Sequence, residues 1–120
     1  MQDQSTVVKL AEALYDKKAR DIVALNVSGM TVICDYMLIA TGRSTTQVGA
    51  LAEAVEEAAK GLGLALRRTE GQTEARWVVM DYGTILVHIF HPEERSFYNL
   101  ERLWEDGENR VTLPFDQTVL

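Results

Sequence analysis

The stretch "ARWVVMDYGTILVHIF", residues 75–90, decides the fold. Its apolar residues form two runs, rich in β-branched and aromatic types, separated by Asp-Tyr-Gly-Thr. Runs of this kind around a short polar, glycine-containing break predict a β-hairpin. With Tyr82-Gly83 as the two turn residues, Asp81 faces Thr84, Val79 faces Leu86 and Trp77 faces His88. Side chains alternate across a strand. One face then carries Val78, Met80, Ile85, Val87 and Ile89, with Arg76 at its end, and reads as core. The other carries Trp77, Val79, Asp81, Thr84, Leu86, His88 and Phe90. If helices bury this mixed face, Asp81 and His88 need partners, because an unpaired buried polar group costs about 1–3 kcal/mol. If it is only partly covered, it is an apolar patch with a polar rim, as binding surfaces are. A one-residue slip of the turn is expected to exchange the two faces.

Outward from the hairpin, the other elements follow from periodicity and punctuation. Val7, Leu10, Ala11 and Leu14 recur at helical spacing, so a first helix starts near Ser5 and ends around Arg20. "DIVALNV" (21–27) reads as a strand closed by Ser28-Gly29. "DYMLIAT" (35–41) is nearly all apolar, as a strand buried on both faces is. Ser44 with Gln47 three residues on matches a capping box. It opens a long amphipathic helix marked by Val48, Leu51, Ala52, Val55, Ala58, Ala59 and Leu62, ending at "GLG". "LALRR" (64–68) is a short third strand and "TEGQTEA" a polar loop. "HPEERSFYNLERLWEDG" (91–107) is one last helix, with Pro92 in its first turn and Phe97, Leu100, Leu103 and Trp104 on its apolar side. The order α-β-β-α-β-β-β-α predicts an α/β domain over residues 1–107, a mixed five-stranded sheet with flanking helices. Residues 108–120 form a C-terminal tail, in which Phe115, Val119 and Leu120 offer packing groups.

At 120 residues the chain suits one domain. The single cysteine, Cys34, forms no internal disulfide and favours a reducing, cytoplasmic setting. No signal peptide or membrane span is visible, so no membrane partner is expected. The net charge of −6 disfavours direct nucleic-acid binding and suits a basic protein partner. The only basic clusters are short, "DKKAR" and "LRR".

A catalytic set is hard to assemble. His88 and His91 fall on opposite faces of a strand, and no third ligand stands at a convincing spacing, so no metal is expected. Cys34 has no activating neighbour in sequence, and a packed or surface thiol is the plainer reading. "TGRSTTQ" offers a possible anion site at Arg43 and Ser44, where helix N–H groups could hold a phosphate. The plainer reading is that Ser44 caps the helix. Arg95 could pair with Asp81 or Glu101, or face a partner.

"ARDIVALNV", "DYMLIATGRSTTQV", "EG" before "WVVMDYGTILVHIF", and "RSFYNLERLW" stand in this order over residues 19–106. Together they closely resemble the ribosomal silencing factor family, also called Iojap-like proteins. The resemblance implies an α/β fold distantly similar to nucleotidyltransferases but without their catalytic acids, no enzyme activity and no cofactor. It implies binding to the large ribosomal subunit at its ribosomal protein numbered fourteen, on the face that meets the small subunit. Blocking subunit joining there would repress translation. It also implies a homodimer when free. On this resemblance Trp77 matches the tryptophan of the ribosomal contact. The expected partner-binding set is Trp77, Val79, Asp81, Tyr82, Leu86, His88, Arg95 and Tyr98. The family often has an acid after Asp-Tyr-Gly, where this chain has Thr84. The alternatives are a large-subunit assembly factor and a small nucleotide-binding transferase using Arg43, Ser44 and Asp81.

Overall fold

The computed structural model describes residues 4–117. In chain order the elements are α1 (Gln4–Asp16), β1 (Arg20–Asn26), β2 (Tyr36–Thr41), α2 (Thr45–Gly61), β3 (Arg68–Glu70), β4 (Trp77–Asp81), β5 (Ile85–Phe90), α3 (Pro92–Tyr98) and α4 (Glu101–Trp104). The five strands form one sheet in the order β1-β2-β5-β4-β3. Only β2 and β5 run parallel; the other neighbours are antiparallel. The mixed five-stranded α/β architecture is therefore as the sequence predicts.

Two cores lie on the two sides of this sheet. On one side α1 and α2 bury Val7, Leu10, Leu14, Val48, Leu51 and Val55 against Val78, Met80, Ile85, Val87 and Ile89. The apolar face of the hairpin is thus the main core. On the other side Val23, Leu25, Met37, Ile39 and Phe90 form a smaller cluster, with Trp77, Leu86, Leu100 and Trp104 packed at its margin. Strand β2 feeds both cores and is buried along its whole length, which explains its unbroken apolar run.

Four boundaries differ from the sequence reading, each for a local reason. Helix α1 stops at Asp16, before Arg20, because Lys18 takes a left-handed conformation (φ 70°) and the Ala19 N–H returns to the Leu14 carbonyl. This is the usual helix-closing geometry without its usual glycine. Strand β3 uses Arg68–Glu70, not residues 64–68, and Leu64 turns into the main core instead. As an edge strand it needs charge more than apolar character, and Arg68 and Glu70 pair along one face of it at 3.0 Å. The last helix is broken into α3 and α4 by Asn99, left-handed at φ 45°. The hairpin turn is Gly83-Thr84, not Tyr82-Gly83: Trp77 pairs with Phe90, Val79 with His88 and Asp81 with Leu86.

The turn is set by Gly83, whose φ of +85° suits glycine, and by Asp81, whose Oδ1 accepts from the Gly83 N–H at 2.8 Å. Sliding a two-residue turn by one position moves each cross-strand partner by two. The faces therefore stay as predicted, and the expected exchange of faces does not occur.

After Gly107 the chain runs back along β1. Val111 N–H donates to the Ala24 carbonyl, and Gln117 takes both backbone groups of Ile22 through its side-chain amide. Phe115 stacks on Tyr15 at 4.2 Å between ring centroids. Val119 and Leu120, the other packing groups expected in the tail, lie outside the described residues.

Candidate functional site

The mixed face of the hairpin is only partly covered. Trp77, Val79, Asp81 and Leu86 are half-buried, whereas His88 and Phe90 are buried. The cover comes from the α3–α4 elbow at the Trp77 end. The Trp77 ring stacks on Phe90 at 5.0 Å and meets Tyr98 at 4.6 Å. Around it the elbow leaves Phe97 81% exposed, Leu103 71% and Tyr98 47%. Phe97 meets Tyr98 edge-on at 5.0 Å, so these two rings continue the half-covered face as an apolar rim.

His88 fixes the indole. Trp77 Nε1–H donates to His88 Nδ1 at 3.1 Å. An indole N–H only donates, so Nδ1 must be unprotonated and the neutral ring carries its proton on Nε2. Burial lowers the His88 pKa from 6.5 to about 4, which keeps the ring in that acceptor form at neutral pH. His88 is only 6% exposed, so it supports the face from beneath and does not present itself to a partner.

Two further members of the expected contact set point elsewhere. Tyr82 is the residue after β4, and its ring is buried in the main core beneath α2. Burial, with the nearby Glu56 charge, pushes its phenol to about 12. Arg95 is turned inward and bonded on every side. Its guanidinium donates to Glu101 Oε2 at 2.7 Å, to Thr41 Oγ1 at 2.7 Å and to the Asp21 carbonyl at 2.8 Å. Of the pairings open to it from sequence, the one formed is with Glu101; Asp81 serves the hairpin turn.

Gly71 was not singled out from sequence as part of this site. A Cβ there would lie 2.0 Å from the Trp77 carbonyl oxygen, and its φ is +85°. The Glu-Gly pair before the hairpin was the available signal. Beside it Arg76 donates from Nε to Glu94 at 2.6 Å and from Nη2 to Glu93 at 2.9 Å, anchoring the start of α3. The Arg76 hydrogen bond holds the Glu94 carboxyl below the ordinary range.

Elsewhere the chemistry is quiet. His91 Nδ1 accepts from the Glu93 N–H as the cap of α3. Among the described residues no group of three or more His, Cys, Asp or Glu could hold a metal ion. Cys34 is buried, and burial followed by the Asp35 and Asp81 charges raises its thiol to about 11, the reverse of activation. At the possible anion site, Ser44 Oγ accepts from the Gln47 N–H at 3.2 Å and Gln47 Oε1 accepts from the Arg43 N–H at 2.6 Å. Gln47 also donates to the Lys17 and Lys18 carbonyls. The α2 N-terminus is thus capped and tied to the end of α1, and two of the N–H groups a phosphate would need are occupied.

The fold and site define a small α/β domain whose second sheet face is half open and rimmed by aromatic residues. The profile of the family described as "Ribosomal silencing factor during starvation" matches residues 1–119, and the chain belongs to that family. It is 45% identical over 106 residues to the ribosomal silencing factor RsfS of Bacillus subtilis, covering 88% of this chain and 90% of that one. Among solved structures, a Bacillus halodurans protein superposes with a TM-score of 0.80 at 40% identity, covering 92% of this chain and 100% of that one. A Chromobacterium violaceum protein superposes with a TM-score of 0.84 at 34% identity, covering 98% and 97%. Among the described residues no helix is long and apolar enough to cross a membrane.

Proposed function

We propose that this chain represses translation by docking onto the large ribosomal subunit, at the ribosomal protein numbered fourteen, and sterically blocking the small subunit. Family membership supports a ribosomal silencing role. The observation that carries the docking reading is Trp77, a partly buried indole clamped by His88, Phe90 and Tyr98 at the edge of an apolar rim. A large aromatic held rigid before binding loses little freedom on association, which is what a binding anchor requires. Trp77, Val79, Asp81, Leu86 and Tyr98 remain the contact set, joined by exposed Phe97 and Leu103. His88 and Arg95 act as supports for that set, and Tyr82, buried in the core on the other side of the sheet, leaves it.

The net charge of −6 suits a basic ribosomal protein. Steric blockade needs affinity and overlap, not bond making, so this reading has no catalytic group and no cofactor. It places the protein in the cytoplasm, where subunits join. The free chain is read as a homodimer, for which exposed Phe97 and Leu103 offer apolar surface to a second copy. Sedimentation of the free protein tests that part.

The decisive experiment is co-sedimentation with purified large subunits, together with a subunit-joining assay, for wild type and Trp77→Ala. Truncating an aromatic anchor costs about 2–4 kcal/mol, roughly 30- to 1,000-fold in affinity. Wild-type binding and inhibition by a folded Trp77→Ala variant would overturn the assignment.

A further inference from the structure

Helices α3 and α4 carry the rim and the exposed Leu103, yet neither holds itself in place. They are seven and four residues long and bury none of their residues. Helices this short are unstable alone in water. Phe97 and Leu103 point outward and contribute little anchorage. Leu100 and Trp104 touch only the margin of the smaller core.

Arg95 supplies a lock. It sits in the middle of α3 with its side chain only 10% exposed. From there Nε and Nη2 grip the Glu101 carboxylate across the Asn99 turn, at 3.0 and 2.7 Å. Nη1 reaches the end of β2 at Thr41, and Nη2 reaches the carbonyl of Asp21 at the start of β1. Burial draws the Glu101 carboxyl upward, but the Arg95 hydrogen bond and charge outweigh it and hold it below the usual range. One side chain thus closes the α3–α4 elbow and ties it to two strands. The elbow in turn places Tyr98 on Trp77.

We propose that Arg95 is a positioning residue for the docking face: without touching the partner, it locks the elbow that sets Tyr98 against Trp77. The proposal rests on the docking reading above. Its physical content is preorganisation. An unlocked elbow must be ordered when the partner binds, and ordering an interface side chain lowers affinity roughly 2- to 13-fold.

The test uses the full chain as Arg95→Met, Glu101→Gln, the double variant, and Trp77→Ala as the control. Amide exchange over residues 92–104 and affinity for purified large subunits are measured for each. The expected result is faster exchange in residues 92–104 with β4 and β5 still protected, and binding about tenfold weaker. The double variant should bind no more weakly than Arg95→Met, because both changes open one lock. Additive losses would make Arg95 a contact residue and overturn the proposal. So would unchanged affinity despite a loosened elbow. If Arg95→Met fails to fold, Glu101→Gln carries the same comparison, with Arg95→Lys expected to keep part of the affinity. Wild-type affinity in Trp77→Ala would remove the docking reading and the proposal with it. Loss in Trp77→Ala but not in the lock variants would remove the proposal alone.

Discussion

The indole N–H of Trp77 donates to Nδ1 of His88 at 3.1 Å, one strand away. That bond dictates the histidine tautomer, uses the one polar group of the tryptophan and leaves its ring face to Phe90 and Tyr98. Protonating His88 on Nδ1 would set two donors against each other. The polar residue that made this strand face ambiguous in sequence is therefore part of what orients its aromatic anchor.

The pair predicts a pH dependence of stability. The His88 pKa is about 4 in the fold against 6.5 as its ordinary value, so between these pH values the unfolded chain binds more protons. Stability due to this group is full above about pH 6.5 and is lost progressively as pH falls towards 4, by roughly 3 kcal/mol at most. Urea unfolding at pH 7 and pH 5 should show the decline in wild type. In His88→Gln this contribution should vanish, and an unchanged slope would refute the assignment.

Gly71→Ala should be strongly destabilising. The added methyl meets the Trp77 carbonyl oxygen at 2.0 Å, and φ +85° is unfavourable for any residue with a Cβ. A loss of more than about 2 kcal/mol in denaturant unfolding is expected. Tryptophan fluorescence should shift as the start of β4 moves. A variant within a few tenths of wild type would mean that the loop relaxes freely.

Gln117→Ala tests whether the tail belongs to the fold. Gln117 satisfies both the N–H and the carbonyl of Ile22, at 2.7 and 2.8 Å. Removing two such bonds should cost about 1–3 kcal/mol and speed exchange of the Ile22 amide. Protected Ile22 in the variant would show that the rest of the tail suffices to cover β1.

Ser44→Ala separates capping from ligand binding. Loss of the cap should lower stability by about 0.5–2 kcal/mol. Adding phosphate, or a nucleotide with magnesium, should leave the wild-type melting temperature unchanged. A saturable upward shift abolished by Arg43→Ala would instead restore the anion-site reading.

What the sequence determined by itself was whatever depends on near neighbours. The alternation of residues 77–90 set the two faces of the hairpin, and it survived a wrong turn position because a slid turn preserves parity. The Ser44–Gln47 pair set the start of α2, and the apolar run of β2 marked a strand buried on both sides. Asn99 was visible in "YNL", but its left-handed break gives a weaker signal than glycine and the helical spacing ran straight across it. Tertiary structure alone decided the partners. Arg95 meets Thr41 and Asp21, which are 54 and 74 residues away, and no periodicity encodes that choice. The same holds for the place of Tyr82 in the main core, for the tail on β1 and for the half-covered state of Trp77. Propensity and capping act within a few residues and so leave marks in the sequence. Burial and pairing across the sheet depend on which surfaces the folded chain brings together, and only the assembled fold specifies those.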